Sequence, residues 1–217
     1  MRMLVQDDSD KSNINHQTIG QGVALSLNSK QSYIENCQLI GHQDTLFVGP
    51  LPRDLNERYD HFLPFEERGD EITHHHFKSC LIQGDVDFIF GSGTSLFDKC
   101  HIEATAKGYI AAPSTYQEFP YGFVFYQSLI ENVSQDQVYL ARPWREHGAC
   151  TFIDSTFKGK FDDMRYNTWD KSVFRFKESP YVSAPLSEAL SQEEREQLFC
   201  YLKLNMPSFP GNDYSPK

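Results

Sequence analysis

Two aspartates, Asp44 and Asp87, sit at the same offset in two segments that align without a gap: CQLIGHQDTLF from Cys37 and CLIQGDVDFIF from Cys80. The segments also share Cys, Gly and Phe. Carboxylates held close cannot both ionise freely, so one pKa rises, the other falls, and one residue type supplies both an acid and a base. Gln43 adjoins Asp44, and Gln21 in GQGVAL precedes Gln43 by 22 residues. Amide donors beside such a pair can hold an oxyanion as it develops. Two Asp and two Gln on one strip are the equipment of acyl transfer with a carboxylate nucleophile. A single Asp more often caps a strand end or binds backbone amides at a turn; the repetition beside Gln is what favours chemistry.

An element must bring these residues together, and the chain repeats one. YIENCQLIG, HFKSCLIQG, LFDKCHIEA, VFYQSLIEN and TFIDSTFKG each run from aromatic or branched residues through a polar pair to a small Cys or Ser. A Leu, Ile or Phe near a turn follows. The small residue falls at 37, 80, 100, 128 and 155, a period in the twenties once the long first gap is read as holding an insertion. Short strands at this spacing, with little helical periodicity before residue 185, predict a single-stranded parallel β-helix over residues 1–185 rather than a β-sandwich, the alternative class. Stacked coils would place Asp44 over Asp87 about 4.8 Å apart, with the glutamines alongside and the cysteines in an interior ladder. The five cysteines, odd in number and without a CxxC pair, are read as free thiols, not as disulfides or a zinc site.

The remaining text bounds the function. A net charge of −10 spread along 217 residues, with no basic patch, argues against nucleic acid, and no apolar run is long enough to span a membrane. MRMLVQDDSDKSN has no secretory core, so the chain as encoded is expected in the cytoplasm, or outside the cell if an upstream segment directs export. His74, His75 and His76 alternate faces in a strand and cannot converge on one metal; a solvated strand start is expected. Asn132 in NVS fits a glycosylation sequon, to which no role is given. Residues 49–72, rich in Pro and charge, form an insertion loop beside the cleft. A C-terminal helix is placed at 186–204, with a Ser191–Glu194 capping box and an apolar stripe of Leu198, Phe199 and Leu202, and residues 205–217 form a polar tail.

GQGVAL, GHQDTLF, GDVDFIFG and YLARPW, in that order, resemble the signature segments of the pectin methylesterase (pectinesterase) family. The resemblance spans Gln21 to Trp144 and implies a right-handed parallel β-helix. It implies hydrolysis of methyl esters on the galacturonate units of pectin, releasing methanol and pectate, without metal or cofactor. Asp87 would be the nucleophile and Asp44 the acid/base. Gln21 and Gln43 would donate to the oxyanion, and Arg142 would orient Asp87 and keep it ionised. Trp144 would offer a face to a sugar ring, with Phe90 and Val86 on the cleft floor. Substrates would be methyl-esterified pectin or oligogalacturonides; the oligomeric state is left open. In departure from the family, the coils expected before Gln21 are missing, which would expose interior edges, Ala141 stands where Gly is commoner, and His42 replaces an aromatic. Two alternatives stay open: another pectin-active β-helix enzyme, a glycosidase or lyase, and a noncatalytic or degenerate β-helix that binds acidic polysaccharide.

Overall fold

The computed structural model describes residues 3–6, 21–59, 61 and 70–209. The expectations for the start of the chain, for residues 62–69 of the insertion and for 210–217 of the tail lie outside these, apart from the strand at 3–6. In chain order the first strands are β1 (Met3–Gln6), β2 (Leu25–Leu27), β3 (Gln31–Glu35), β4 (Cys37–Ile40), β5 (Leu46–Val48), β6 (His74–Lys78), β7 (Leu81–Gly91) and β8 (Thr94–Asp98). They continue as β9 (His101–Pro113), β10 (Phe123–Tyr126), β11 (Leu129–Asn132), β12 (Tyr139–Ala141), β13 (Ala149–Ile153), β14 (Thr156–Lys158), β15 (Arg175–Ser179) and β16 (Glu188–Ala189). Helix α1 (Arg53–Arg58) lies between β5 and β6, and α2 (Gln192–Asn205) follows β16.

The chain passes back and forth between two sheets. One runs β1-β4-β7-β9-β11-β14, flanked by β2, β5 and β12, and the other runs β16-β15-β13-β10-β8-β6-β3. Pairing is parallel throughout the described strands, including β4 with β7 and β6 with β8. This is the expected solenoid; a sandwich of antiparallel hairpins would pair sequence neighbours instead.

The repeated polar pair and small residue form the corner between the sheets. Asn36, Ser79, Lys99, Gln127 and Asp154 take left-handed φ of 56°, 51°, 52°, 47° and 49°, and each directly precedes the small residue of its repeat. Such a conformation costs about 1–2 kcal/mol in a residue with a Cβ, so something must offset it. Each corner N–H donates to a carbonyl of the next coil, as Lys99 does to Tyr126 at 2.9 Å and Gln127 to Ile153 at 2.9 Å. The small side chains donate the other way: Cys100 Sγ to Phe77 O at 3.4 Å, Ser128 Oγ to Phe97 O at 2.8 Å, Ser155 Oγ to Phe125 O at 3.1 Å. A thiol or hydroxyl at the corner therefore ties each coil to its neighbour.

Between the sheets, Phe77, Phe97, Phe125 and Phe152 stack at 5.1, 4.6 and 4.6 Å, facing a ladder of Leu39, Ile82, Ile102 and Ile130, all fully buried. Truncating one such phenylalanine to Ala is expected to cost about 3–5 kcal/mol. Cys37, Cys80, Cys100 and Cys150 are buried, whereas Cys200 on α2 is exposed.

Three expectations are corrected. The terminal helix starts at Gln192 rather than at 186: its capping box holds Ser191 as N-cap, and the preceding residues add the short strand β16 to the second sheet. The three histidines are buried, not solvated. His75 points inward beside Thr73, while His74 lies 2.8 Å from the Tyr201 hydroxyl and His76 2.8 Å from that of Ser208, both under the terminal segment. Burial pushes the His75 pKa down to about 4. The insertion is not wholly loop, since it carries α1. Asn132 of the sequon is buried, its side-chain amide donating to the carbonyls of Asp136 and Lys160.

Candidate active site

The offset of 43 that relates the two Asp segments survives in the register: Gln38 pairs with Leu81, and Leu46 with Ile89. Asp44 and Asp87 therefore hold equivalent places on adjacent coils, and both are left-handed, with φ of 64° and 50°. Asp is among the few residues that tolerate this state. The Asp44 N–H donates to Val86 O at 3.1 Å, joining the two turns. The glycine shared by the segments has a steric cause. A Cβ at Gly84 would lie 2.2 Å from Phe88 Cβ, and one at Gly41 would lie 2.6 Å from Thr45 Oγ1, because in each turn the residue after the aspartate folds back.

Arg142 reaches this point from two coils further on. It follows β12, which pairs with β9, which pairs with β7. Its N–H donates to Ala111 O at 3.0 Å, and Trp144 N–H to Pro113 O at 2.8 Å, so the Arg-Pro-Trp corner is anchored along β9. The guanidinium lies between the rings of Tyr109 and Trp169, at 3.8 and 3.7 Å, and forks onto Asp87: Nε to Oδ1 at 2.8 Å and Nη2 to Oδ2 at 2.5 Å. Held by two ring faces and two hydrogen bonds, it can move little.

The two carboxyls titrate differently. Asp44 is 9% exposed and Asp87 5%. Burial, and after it the charge of Asp87, push Asp44 up to about 7, with the Arg142 charge opposing. Asp87 is also raised by burial, but its hydrogen bonds to Arg142 and the guanidinium charge pull back directly. The expectation that one pKa of the pair rises while the other falls is corrected: burial raises both, and at Asp87 the arginine limits the rise. The geometry yields a carboxyl that keeps its proton near neutrality beside one whose ionised form is held by a fork.

Gln21, Gln43, Asp44, Asp87 and Arg142 line one cleft of about 160 Å³, with Phe90 and Trp144 on its wall. Phe90 meets Trp144 edge-on at 5.7 Å. Gln21 is exposed at the rim and Gln43 half-buried. Val86, paired with Tyr109, is not among the lining residues, and the structure adds Ala112 and Trp169. The sequence offered one signal for Trp169, as the second of only two tryptophans. A larger hollow of about 560 Å³ opens beside Cys37 and Cys80 but, among the described residues, is lined by no pair of acids. Among the described residues, His101, Glu103 and Glu131 bring metal-ligating atoms within 4.8 Å of one another; there Lys158 Nζ sits 2.5 Å from Glu131.

The family model Pectinesterase matches residues 71–179, half of the chain, including Asp87, Arg142, Trp144 and Trp169. A pectinesterase of Ralstonia solanacearum is 33% identical over 146 residues, covering 62% of this chain and 33% of the relative. Pectinesterase 31 of Arabidopsis thaliana is 32% identical over 149 residues, 64% of this chain and 39% of the relative. The chain thus spans about a third of the length of these curated relatives. Among solved structures, the pectin methylesterase of Erwinia chrysanthemi superposes with a TM-score of 0.66 at 21% identity, covering 99% of this chain and 69% of that one. The enzyme of Yersinia enterocolitica gives 0.65 at 24%, covering 95% and 72%. At these identities the likeness establishes the parallel β-helix. With the family model matched over half its residues, on a fold shared with solved pectin methylesterases, the chain belongs to the pectinesterase family.

Proposed function

We propose that this chain is a carboxylic ester hydrolase that removes methyl esters from galacturonate units of pectin or oligogalacturonides. The observation that carries the reading is the asymmetry of two equivalent aspartates: Asp87 gripped by a bidentate arginine, Asp44 beside it with its pKa raised to about 7. The ionised Asp87 attacks the ester carbonyl, and the carbonyl oxygen becomes an oxyanion that accepts from the side-chain amides of Gln21 and Gln43. As the tetrahedral centre collapses, the bond to the methoxy oxygen breaks, Asp44 gives it a proton and methanol leaves, with the acyl group on Asp87. Asp44, now ionised, takes a proton from water, whose oxygen attacks the acyl carbon and frees Asp87 and the carboxylate product. Trp144 and Phe90 form the apolar wall against which a sugar ring stacks.

Membership of the family supports the substrate class, as does the solved pectin methylesterase in complex with a hexasaccharide, which is 21% identical to this chain. The test is methanol release from methyl-esterified pectin and from methylated oligogalacturonides, comparing the chain with Asp87→Ala. Release that vanishes in the variant is expected. A folded wild-type chain that releases none would overturn the reading and leave a polysaccharide-binding solenoid.

A further inference from the structure

We infer that helix α1, in the described part of the insertion, is a working part of the cleft: through Asp54 it clamps Arg145 and thereby positions Trp144. The inference rests on the proposed role of Trp144 as a sugar platform and adds a specificity device to it.

Arg145 is engaged through all three nitrogens of its guanidinium. Nε donates to Asp54 Oδ1 at 2.9 Å and Nη2 to Asp54 Oδ2 at 2.8 Å, a bidentate fork. Nη1 donates to the Trp144 carbonyl at 3.0 Å, and the guanidinium carbon lies 4.9 Å from the centre of the Trp144 ring. The guanidinium is therefore tied to Trp144 at ring and backbone, and Asp54 supplies the geometry that fixes it. Phe90 meets the indole edge-on, so the ring that lines the cleft is held between a catalytic-coil phenylalanine and an arginine steered from the insertion.

Helix α1 and the residues before it are themselves anchored to the segment after β9. Arg53 stacks over Tyr116 at 4.3 Å and pairs with Glu118, and the Tyr116 hydroxyl donates to Leu51 O. Tyr116 and Glu118 follow β9, whereas Arg145 follows β12. Helix α1 thus bridges the ends of two consecutive coils, the two that deliver Ala112 and Arg142 to the cleft. The side chains of Arg145 and Asp54 are 32% and 48% exposed, and a pair so open to water adds at most about 1 kcal/mol to stability. Orientation, not stability, is what so well-aligned a fork provides.

The test compares the chain with Asp54→Asn and Asp54→Glu. Loss of the fork in Asp54→Asn is expected to raise KM for a methylated oligogalacturonide about two- to fivefold with kcat unchanged; Asp54→Glu should restore much of the difference. Trp144 can be followed without turnover. In a Trp169→Phe background, acrylamide quenching of the remaining tryptophan should rise for Asp54→Asn and not for Asp54→Glu. Should that background fail to fold, 19F spectra of the 5-fluorotryptophan-labelled chain, with both tryptophans present, report the same change at Trp144. Unchanged KM together with unchanged quenching or 19F shift in Asp54→Asn overturns the clamp. So does a change in melting temperature large enough to show that the pair serves the fold. If the wild-type chain releases no methanol, the proposed function fails while the spectroscopic readout still decides the clamp.

Discussion

Asp44 and Asp87 share a left-handed backbone with the five corner residues Asn36, Ser79, Lys99, Gln127 and Asp154, yet the two regions answer to different forces. At the corners the residue type changes from coil to coil and each side chain is exposed; what recurs is the main-chain hydrogen bond to the next coil. At the cleft the residue type is the same twice and the side chain is buried. A repeat that preserves a conformation but not a residue marks structure. One that preserves both, at the cost of burying two acids, marks chemistry. Within the cleft the symmetry is then broken from outside the repeat, by the fork that Arg142 makes on one aspartate alone.

The largest break in that comparison is Asp87→Ala, expected to lower kcat for methanol release about 10⁴-fold or more, since a nucleophile has no substitute. Assay with the folded variant checks it, and residual activity within tenfold of wild type would remove Asp87 from the role. Next comes Arg142→Lys, which keeps a charge but loses the fork and the contact between two rings; kcat should fall about 10- to 100-fold. Its pH profile has a definite sign. The guanidinium favours ionised Asp87, so weakening it raises the pKa further, and the acidic limb of kcat/KM should move to higher pH.

Asp44 provides a test with opposite effects on activity and stability. As the acid it must hold its proton, so kcat/KM should fall as pH rises past about 7. In the unfolded chain the same carboxyl loses its proton near the ordinary value of about 3.9. Between these two values the folded state binds more protons than the unfolded, so stability falls as pH rises. By pH 8 the ionised, buried Asp44 should cost roughly 2–4 kcal/mol. Asp44→Asn is therefore expected to be nearly inactive, yet more stable than wild type at pH 8 and about equal at pH 4 in urea melts. Equal stability at both values would mean that Asp44 is not raised.

What the sequence disclosed followed from its period. The corner residues and the aromatic and aliphatic ladders are one short pattern copied coil by coil, and the matched Asp turns lie inside it, so both solenoid and acid pair are legible in the amino-acid order itself. Arg142 and Trp144 lie outside the pattern and were legible through the resemblance of YLARPW. Trp169, Tyr109 and Asp54 belong to neither, and their places follow from how distant coils stack. The histidines failed for a related reason: a run of three polar residues looks solvated locally, whereas the partner that covers His74 is Tyr201, 127 residues later.

The smallest effect sharpens the comparison most. Lys99→Gly removes a side chain that is exposed at a left-handed corner. Glycine relieves about 1–2 kcal/mol of strain there but loses more entropy on folding, by about 0.5–1 kcal/mol. The net expectation is a gain of about 0.5–1 kcal/mol, or about 1–4 °C in a thermal melt of a chain this size, with methanol release unchanged. Asp87→Gly relieves the same backbone strain but leaves the Arg142 guanidinium without its carboxylate, and should lose activity altogether. If Lys99→Gly instead destabilised the chain by more than about 1 kcal/mol, the corner would depend on its side chain, and exposure with changing residue type could not be used to tell a structural left-handed turn from a chemical one.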